Sequence, residues 1–242
     1  MQNKLSIIIP SFNEEGRIKK TLQKYYNHLL QHNDAWEIIV VMDGCNDRTS
    51  KIVAEFTAKR KNVRFLEFPH RLGKGGAFLK SLSFAQGDFL GYVDADGSTE
   101  ANEFLKLVTC IESEGWDGVI GSRWVDDAGI VKEQTFFRKF LSRGLNALIR
   151  MLFGLKFKDT QCGAKVFRRV LIEACLPYIC VTGFIFDVNL LYIATKKGFK
   201  VKEHPLQWRD VAGSRLDLKD VLTMFWDICR LRLKSRCFGW ST

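Results

Sequence analysis

No stretch of this sequence approaches the ~20 consecutive apolar residues that a bilayer-spanning helix needs. The longest candidate, LPYICVTGFIF at 176–186, is too short and is broken by Pro177 and Gly183. No secretory leader is expected, since Met1 to Lys4 run straight into a strand-like segment. C-x-x-C pairs are missing too. The seven cysteines are odd in number and scattered, which argues against a disulfide framework or a zinc site and for a reducing compartment. All of them, Cys162 included, read as packing residues. His28, His32, His70 and His204 show no metal-ligand spacing. Neither a GxxxxGK[ST] loop nor a strand–GxGxxG–helix unit occurs, which argues against a P-loop or dinucleotide-binding fold.

Charge of one sign is scarce where the other is abundant. The formal net charge is +10, and residues 1–129 hold 16 basic and 18 acidic side chains, but residues 130–169 hold ten basic and two acidic ones. Residues 196–242 hold eleven and five. A basic second half suits a polyanionic partner, whether phosphates, an anionic membrane surface or nucleic acid; the plainer alternative is a solvated basic face. At 46% hydrophobic, the chain has enough apolar residues for a sizeable core.

Apolar runs alternate with helical periods. LSIIIP (5–10), WEIIVVMD (36–43), VRFLEF (63–68), FLGYVD (89–94) and GVIGSR (118–123) read as strands; helices are expected near 14–30, 47–60, 75–85 and 100–114. This pattern predicts an α/β fold with a mainly parallel sheet flanked by helices. In such sheets ligands bind beyond the carboxyl ends of the strands. Those ends are polar here: PSFNEEG, MDGCNDRT and DADGS.

Asp94 and Asp96 end the fourth strand. Residues i and i+2 of an extended segment face the same way, so both carboxylates point into one crevice. Two like charges there need a cation or a shared proton. A hard divalent cation takes one or two carboxylates and completes its shell with phosphate oxygens, so D-x-D suits a metal-bridged diphosphate. Asp43 reads either as a turn or helix cap or as an acceptor for a nucleotide base or ribose. Lys74, in RLGKGGA (71–77), opens a helix beside two glycines and can hold an anion there.

The motifs IIIPSFNEEGRI, VVMDGCNDRT, LGKGGA, YVDADGS, GSR, DTQCGAKVFRR, FDVNLLYIA and GSRL, in this order, resemble the inverting family-2 glycosyltransferases of GT-A fold. Among these the sequence looks most like the dolichyl-phosphate β-glucosyltransferase branch. The resemblance runs from about residue 4 to 235 and implies a single domain over 1–242, with 1–125 binding a nucleotide sugar and 126–242 forming the acceptor and membrane-interface half. It implies that Pro10, Phe12, Glu14, Asp43, Lys74, Ala95 and Arg209 surround the donor. Asp94 and Asp96 would hold Mg²⁺ or Mn²⁺. Arg123, Arg138, Arg209 and Arg215 would contact donor or acceptor phosphates, with Asp96, Arg123, Arg138 and Arg215 as the catalytic set. The expected reaction carries glucose from UDP-glucose to a polyprenyl or dolichyl phosphate; the mannosyl counterpart with GDP-mannose is the alternative. Four positions depart from the usual pattern: Met42, Ser98, Ile185 and Asn189.

A phosphate acceptor removes the need for a general base, because its second pKa is about 6 and its oxygen is already anionic near neutrality. An acceptor hydroxyl on a glycan would need one, and Asp126 or Asp127 would then be the candidates. Two segments are amphipathic. In 136–158, Phe137, Phe140, Leu141, Leu145, Leu148, Leu152 and Leu155 recur at helical spacing, and 218–236 ends in Arg230, Arg232, Lys234 and Arg236. Each fits an interface helix on anionic lipid or an ordinary core-facing helix. Relatives often continue into transmembrane helices where this sequence stops at Thr242, so it is expected to be peripheral at the cytoplasmic side of a membrane, a truncated chain, or held there by an anchoring partner or a homo-oligomer. A basic nucleic-acid-binding domain is the remaining rival; no recognised motif supports it, and no nucleic-acid partner is expected.

Overall fold

The computed structural model describes residues 4–31, 35–125, 129–132, 136–209, 211 and 218–237, with the backbone alone for 129–132, 136–142, 218–222 and 235–237. The first half builds as its pattern predicts. β1 (Leu5–Ser11), α1 (Ile18–Leu29), β2 (Trp36–Asp43), α2 (Thr49–Thr57), β3 (Val63–Phe68), α3 (Lys74–Ser81), β4 (Phe89–Val93), α4 (Ala101–Glu114) and β5 (Gly118–Ser122) follow in turn. The second half adds β6 (Gly129–Lys132), α5 (Phe136–Phe153), β7 (Ala164–Arg168), α6 (Arg169–Cys175), α7 (Phe186–Lys196), β8 (Val201–Pro205), β9 (Gln207–Arg209) and α8 (Leu218–Cys237).

Seven strands form one sheet in the order β3-β2-β1-β4-β7-β5-β8. β7 alone runs against its neighbours, β4 and β5. β6 and β9 pair separately. Both faces of the large sheet are covered, which is why β2 reads as one continuous apolar run. Its Ile38, Val40 and Met42 face a core shared with α1, α2 and α4. Its Ile39 and Val41 face a second core with α3 and α5 through α8. Met42, where the family usually has an acid, is thus a packing residue.

α7 is buried from Phe186 to Ala194. A helix enclosed on every side belongs to the core, and only Asp187 and Asn189 make it polar there. Asn189 Oδ1 accepts from the amides of Cys180 at 2.8 Å and Val181 at 3.3 Å, tying down the loop that enters the helix.

For α5 the structure takes the core-facing reading in the part whose side chains are described. Ile149 and Phe153 are buried, and Leu145, Leu152 and Leu155 join the same core. Phe137, Phe140 and Leu141 lie outside the described side chains. Met151 of α5 is nonetheless 76% exposed, and α8 also carries exposed apolar side chains. Met224, Ile228 and Leu231 point inward, whereas Phe225, Trp226 and Leu233 are 60%, 70% and 66% exposed.

Candidate active site

The carboxyl ends of β2, β1 and β4 lie side by side, and that of β5 points the same way one strand further on, across the antiparallel β7. Asp94 follows β4. Its Oδ1 pairs with Lys74 Nζ at 2.9 Å, and its amide donates to the Gly163 carbonyl at 3.1 Å. A Cβ on Gly163 would fall 1.8 Å from Asp94 Oδ2, so only glycine lets the carboxylate lie there. Burial alone would raise the Asp94 carboxyl, but the charges of Lys74, Lys165 and Arg123 outweigh it and hold the group below the usual carboxylate range. Asp96 differs. Its Oδ1 accepts the Ser98 amide at 2.9 Å, and burial followed by the charge of Asp94 pushes its carboxyl up. One acid of the pair is neutralised by a lysine; the other keeps a charge that its surroundings disfavour.

Asp43, at the end of β2, holds the loop that delivers that lysine. Its two oxygens accept from the amides of Leu72 at 2.5 Å and Gly73 at 3.0 Å. Gly73 has φ 79° and sits against the Thr182 carbonyl, a place closed to a side chain. Lys74 is then the first residue of α3. The Asp43 bonds are long-range contacts that pin the loop ahead of α3, rather than the local turn or helix cap expected of Asp43. Arg71 from the same loop lies 3.8 Å over the ring of Phe12. Glu14 is gripped by Arg17 through bonds of 2.6 and 2.9 Å; burial raises its carboxyl, and Arg17 offsets part of that. Pro10 is half-buried on β1. Ala95 is buried, and its carbonyl accepts from Thr21 Oγ1 at 2.9 Å.

Arg123, just after β5, has its fork closed on Asp159 by bonds of 2.7 and 2.9 Å, with its own amide on the same carboxylate at 3.1 Å. Its guanidinium lies 5.6 Å from the ring of Trp124 and 5.3 Å from that of Trp208. The free phosphate-gripping fork expected of Arg123 is thus already occupied. Arg209 is exposed, and its amide donates to the Ser98 carbonyl at 3.1 Å, joining β9 to the D-x-D turn. The side chain of Arg138, and Arg215 entirely, lie outside the described residues, as do Asp126 and Asp127.

Residues 6–176 match the family described as Glycosyl transferase family 2. The chain belongs to this family. It is 33% identical to a dolichyl-phosphate beta-glucosyltransferase of Trichomonas vaginalis, over 98% of this chain and 75% of that one. It is 34% identical to the dolichyl-phosphate beta-glucosyltransferase of Saccharomyces cerevisiae, over 95% and 74%. Its fold matches that of glucosyl-3-phosphoglycerate synthase from Mycobacterium tuberculosis, solved with Mn²⁺, UDP and glucosyl-3-phosphoglycerate. The TM-score is 0.71 over 99% of this chain and 81% of that one, at 20% identity. The expected GT-A architecture is therefore the one observed, and the protein is a glycosyltransferase.

Sequence reasoning missed several groups of this glycosyltransferase's site. Asp159 stood in a quoted motif, but its pairing with Arg123 needs β5 and β7 side by side. Lys165 and Asp187 were legible only as lone charges inside apolar runs. Arg17 followed the acids of β1 one helical turn on, and that spacing was its signal. As for a metal, no group of three His, Cys, Asp or Glu side chains able to hold an ion occurs among the described residues. Two carboxylates, one already paired with Lys74, fit a cation that draws its other ligands from a bound phosphate. The disfavoured charge on Asp96 agrees with that fit.

Proposed function

We propose that this glycosyltransferase carries glucose from UDP-glucose to a polyprenyl or dolichyl phosphate, with inversion at the anomeric carbon. The observation that carries the reaction type is the D-x-D crevice, where Lys74 pairs with Asp94 at 2.9 Å and where burial and the charge of Asp94 disfavour the ionised form of Asp96. The sugar and the lipid acceptor rest on the relatives, whose names specify dolichyl phosphate and β-glucosyl transfer.

On the donor side, Pro10, Phe12, Glu14, Asp43, Ala95 and Arg209 line or support the nucleotide pocket. Lys74 meets the diphosphate at the positive end of α3. Asp96, with Asp94, would hold Mg²⁺ or Mn²⁺, which when bound neutralises the departing diphosphate. On the acceptor side, Arg138 and Arg215 take the lipid phosphate, since a planar fork binds phosphate oxygens in pairs. Arg123, fixed by Asp159, adds positive charge behind them. The acceptor oxygen is already anionic, so these residues supply alignment and charge rather than proton removal.

Attachment to the membrane is peripheral in this reading, and α8 supplies the contact. Phe225, Trp226 and Leu233 are exposed beside exposed Arg230 and Lys234, a combination suited to an anionic lipid surface. No helix among the described residues is long and apolar enough to cross a membrane. The six described cysteines are all free, which supports the cytoplasmic side.

A transfer screen tests the assignment. UDP-glucose, UDP-galactose and GDP-mannose are each offered with a short polyprenyl phosphate, a glycan and a peptide. Transfer from UDP-glucose to the lipid phosphate is expected. A preference for GDP-mannose, or transfer to a glycan hydroxyl, would overturn it.

A further inference from the structure

A line of alternating charge runs from the interior of the sheet to the crevice. Lys165, on β7, is fully buried. Its Nζ lies 3.0 Å from Asp187 Oδ1 and donates to the Cys162 carbonyl. Asp187, in the first turn of α7, is 2% exposed, and its Oδ2 lies 3.7 Å from Lys74 Nζ. Lys74 in turn meets Asp94 at 2.9 Å. Both ammonium groups rest on the ring of Tyr92, at 5.2 and 5.3 Å from its centre.

Nothing in the fold asks for charge at the inner end of this line. Lys165 sits between buried Ala164 and Val166, and Asp187 opens a helix buried throughout. A buried ion pair is commonly no more stable than apolar side chains of similar volume. Its use must then lie at the outer end, which is Lys74. The Lys74 side chain is 18% exposed, so it is the link that reaches the crevice. A lysine is a point charge on a flexible stem, and aiming it requires fixed partners. Asp187 alone would draw Lys74 inward, away from Asp94. Lys165 balances Asp187 and leaves Lys74 shared between the two acids.

We infer that Asp187 and Lys165 are positioning residues of the transfer reaction, fixing the Lys74 ammonium where the leaving diphosphate gains charge. The inference deepens the donor role proposed above for Lys74. A charge set in place beforehand lowers the barrier without reorganisation during the reaction. The two residues act through Lys74 and touch no substrate.

The test combines three proteins: Asp187→Asn with Lys165→Met, Lys74→Met alone, and all three changes together. Thermal midpoint, UDP affinity by calorimetry, and kcat and KM for UDP-glucose are measured, both for transfer to polyprenyl phosphate and for donor hydrolysis. Hydrolysis reports on Lys74 even if the lipid proves not to be the acceptor, so failure of the acceptor reading stays separate. The double variant is expected to keep the wild-type midpoint and KM and to lose about tenfold in kcat. Lys74→Met should lose more, and the triple variant no more than Lys74→Met, because coupled residues are not additive. Full kcat in the double variant, or a triple loss equal to the product of the other two, overturns the inference. Should the double variant not fold, Asp187→Glu keeps the charge and moves it by one methylene. It is expected to fold, bind UDP normally and lose kcat; full kcat would again overturn the inference.

Discussion

At the scale of single residues, the site is a set of close approaches as much as a set of charges. The two acids were legible as a pair closing an apolar run, but β4 ends at Val93 and Ala95–Asp96 form a turn, so the extended i, i+2 geometry expected of them does not hold, and their different fates were not legible. Lys74 arrives from a loop 20 residues away, and Gly163 and Lys165 from a strand beyond α5. Gly163 offers a direct check. Alanine there puts a methyl group where Asp94 Oδ2 lies, so the carboxylate must turn away from Lys74. Gly163→Ala is expected to fold and to lose about tenfold or more in kcat, the size of one charged contact. Circular dichroism and steady-state kinetics together check it. Wild-type turnover would show that Asp94 needs no fixed place.

At the scale of elements, periodicity told which residues share a face but not what covers that face. β1 to β5 and their helices were legible because a parallel sheet covered on both sides writes long apolar runs. α7 hid because a helix buried all round has no polar side to set its period, and β7 hid because it is short and its second residue is Lys165. Of the stripe over 137–155, Leu145, Leu152 and Leu155 join the core, while Phe137, Phe140 and Leu141 lie outside the described side chains. The two helices therefore answer differently to acid. Leu145→Glu with Ile149→Glu is expected to destabilise the fold by on the order of several kcal/mol, since a carboxylate would enter an apolar core. Phe225→Glu with Trp226→Glu is expected to leave the fold intact and weaken binding to anionic vesicles severalfold or more. Denaturation curves and vesicle sedimentation separate the two. Unchanged sedimentation of the α8 variant would remove that helix from the membrane.

At the scale of the whole molecule, the sheet points four strand ends the same way, so that groups distant in sequence share one end of it. Charge divides along the same line, with the acids of the donor half at the crevice and the basic surplus in the second half. That division was readable from composition, and the function proposed above gives it a use: an anionic donor held on one side and an anionic lipid approaching on the other. In the proposed reaction the D-x-D crevice drives transfer to a lipid phosphate with a divalent cation and no general base. The most direct measurement uses labelled UDP-glucose and a short polyprenyl phosphate, with Mg²⁺ or with chelator, for the unaltered protein and for Asp96→Asn. A β-linked glucosyl phosphate lipid is expected, with one UDP released per transfer, and that product should be lost both in chelator and in the variant. Full-rate transfer in chelator, full-rate transfer by Asp96→Asn, or an α-linked product would contradict it.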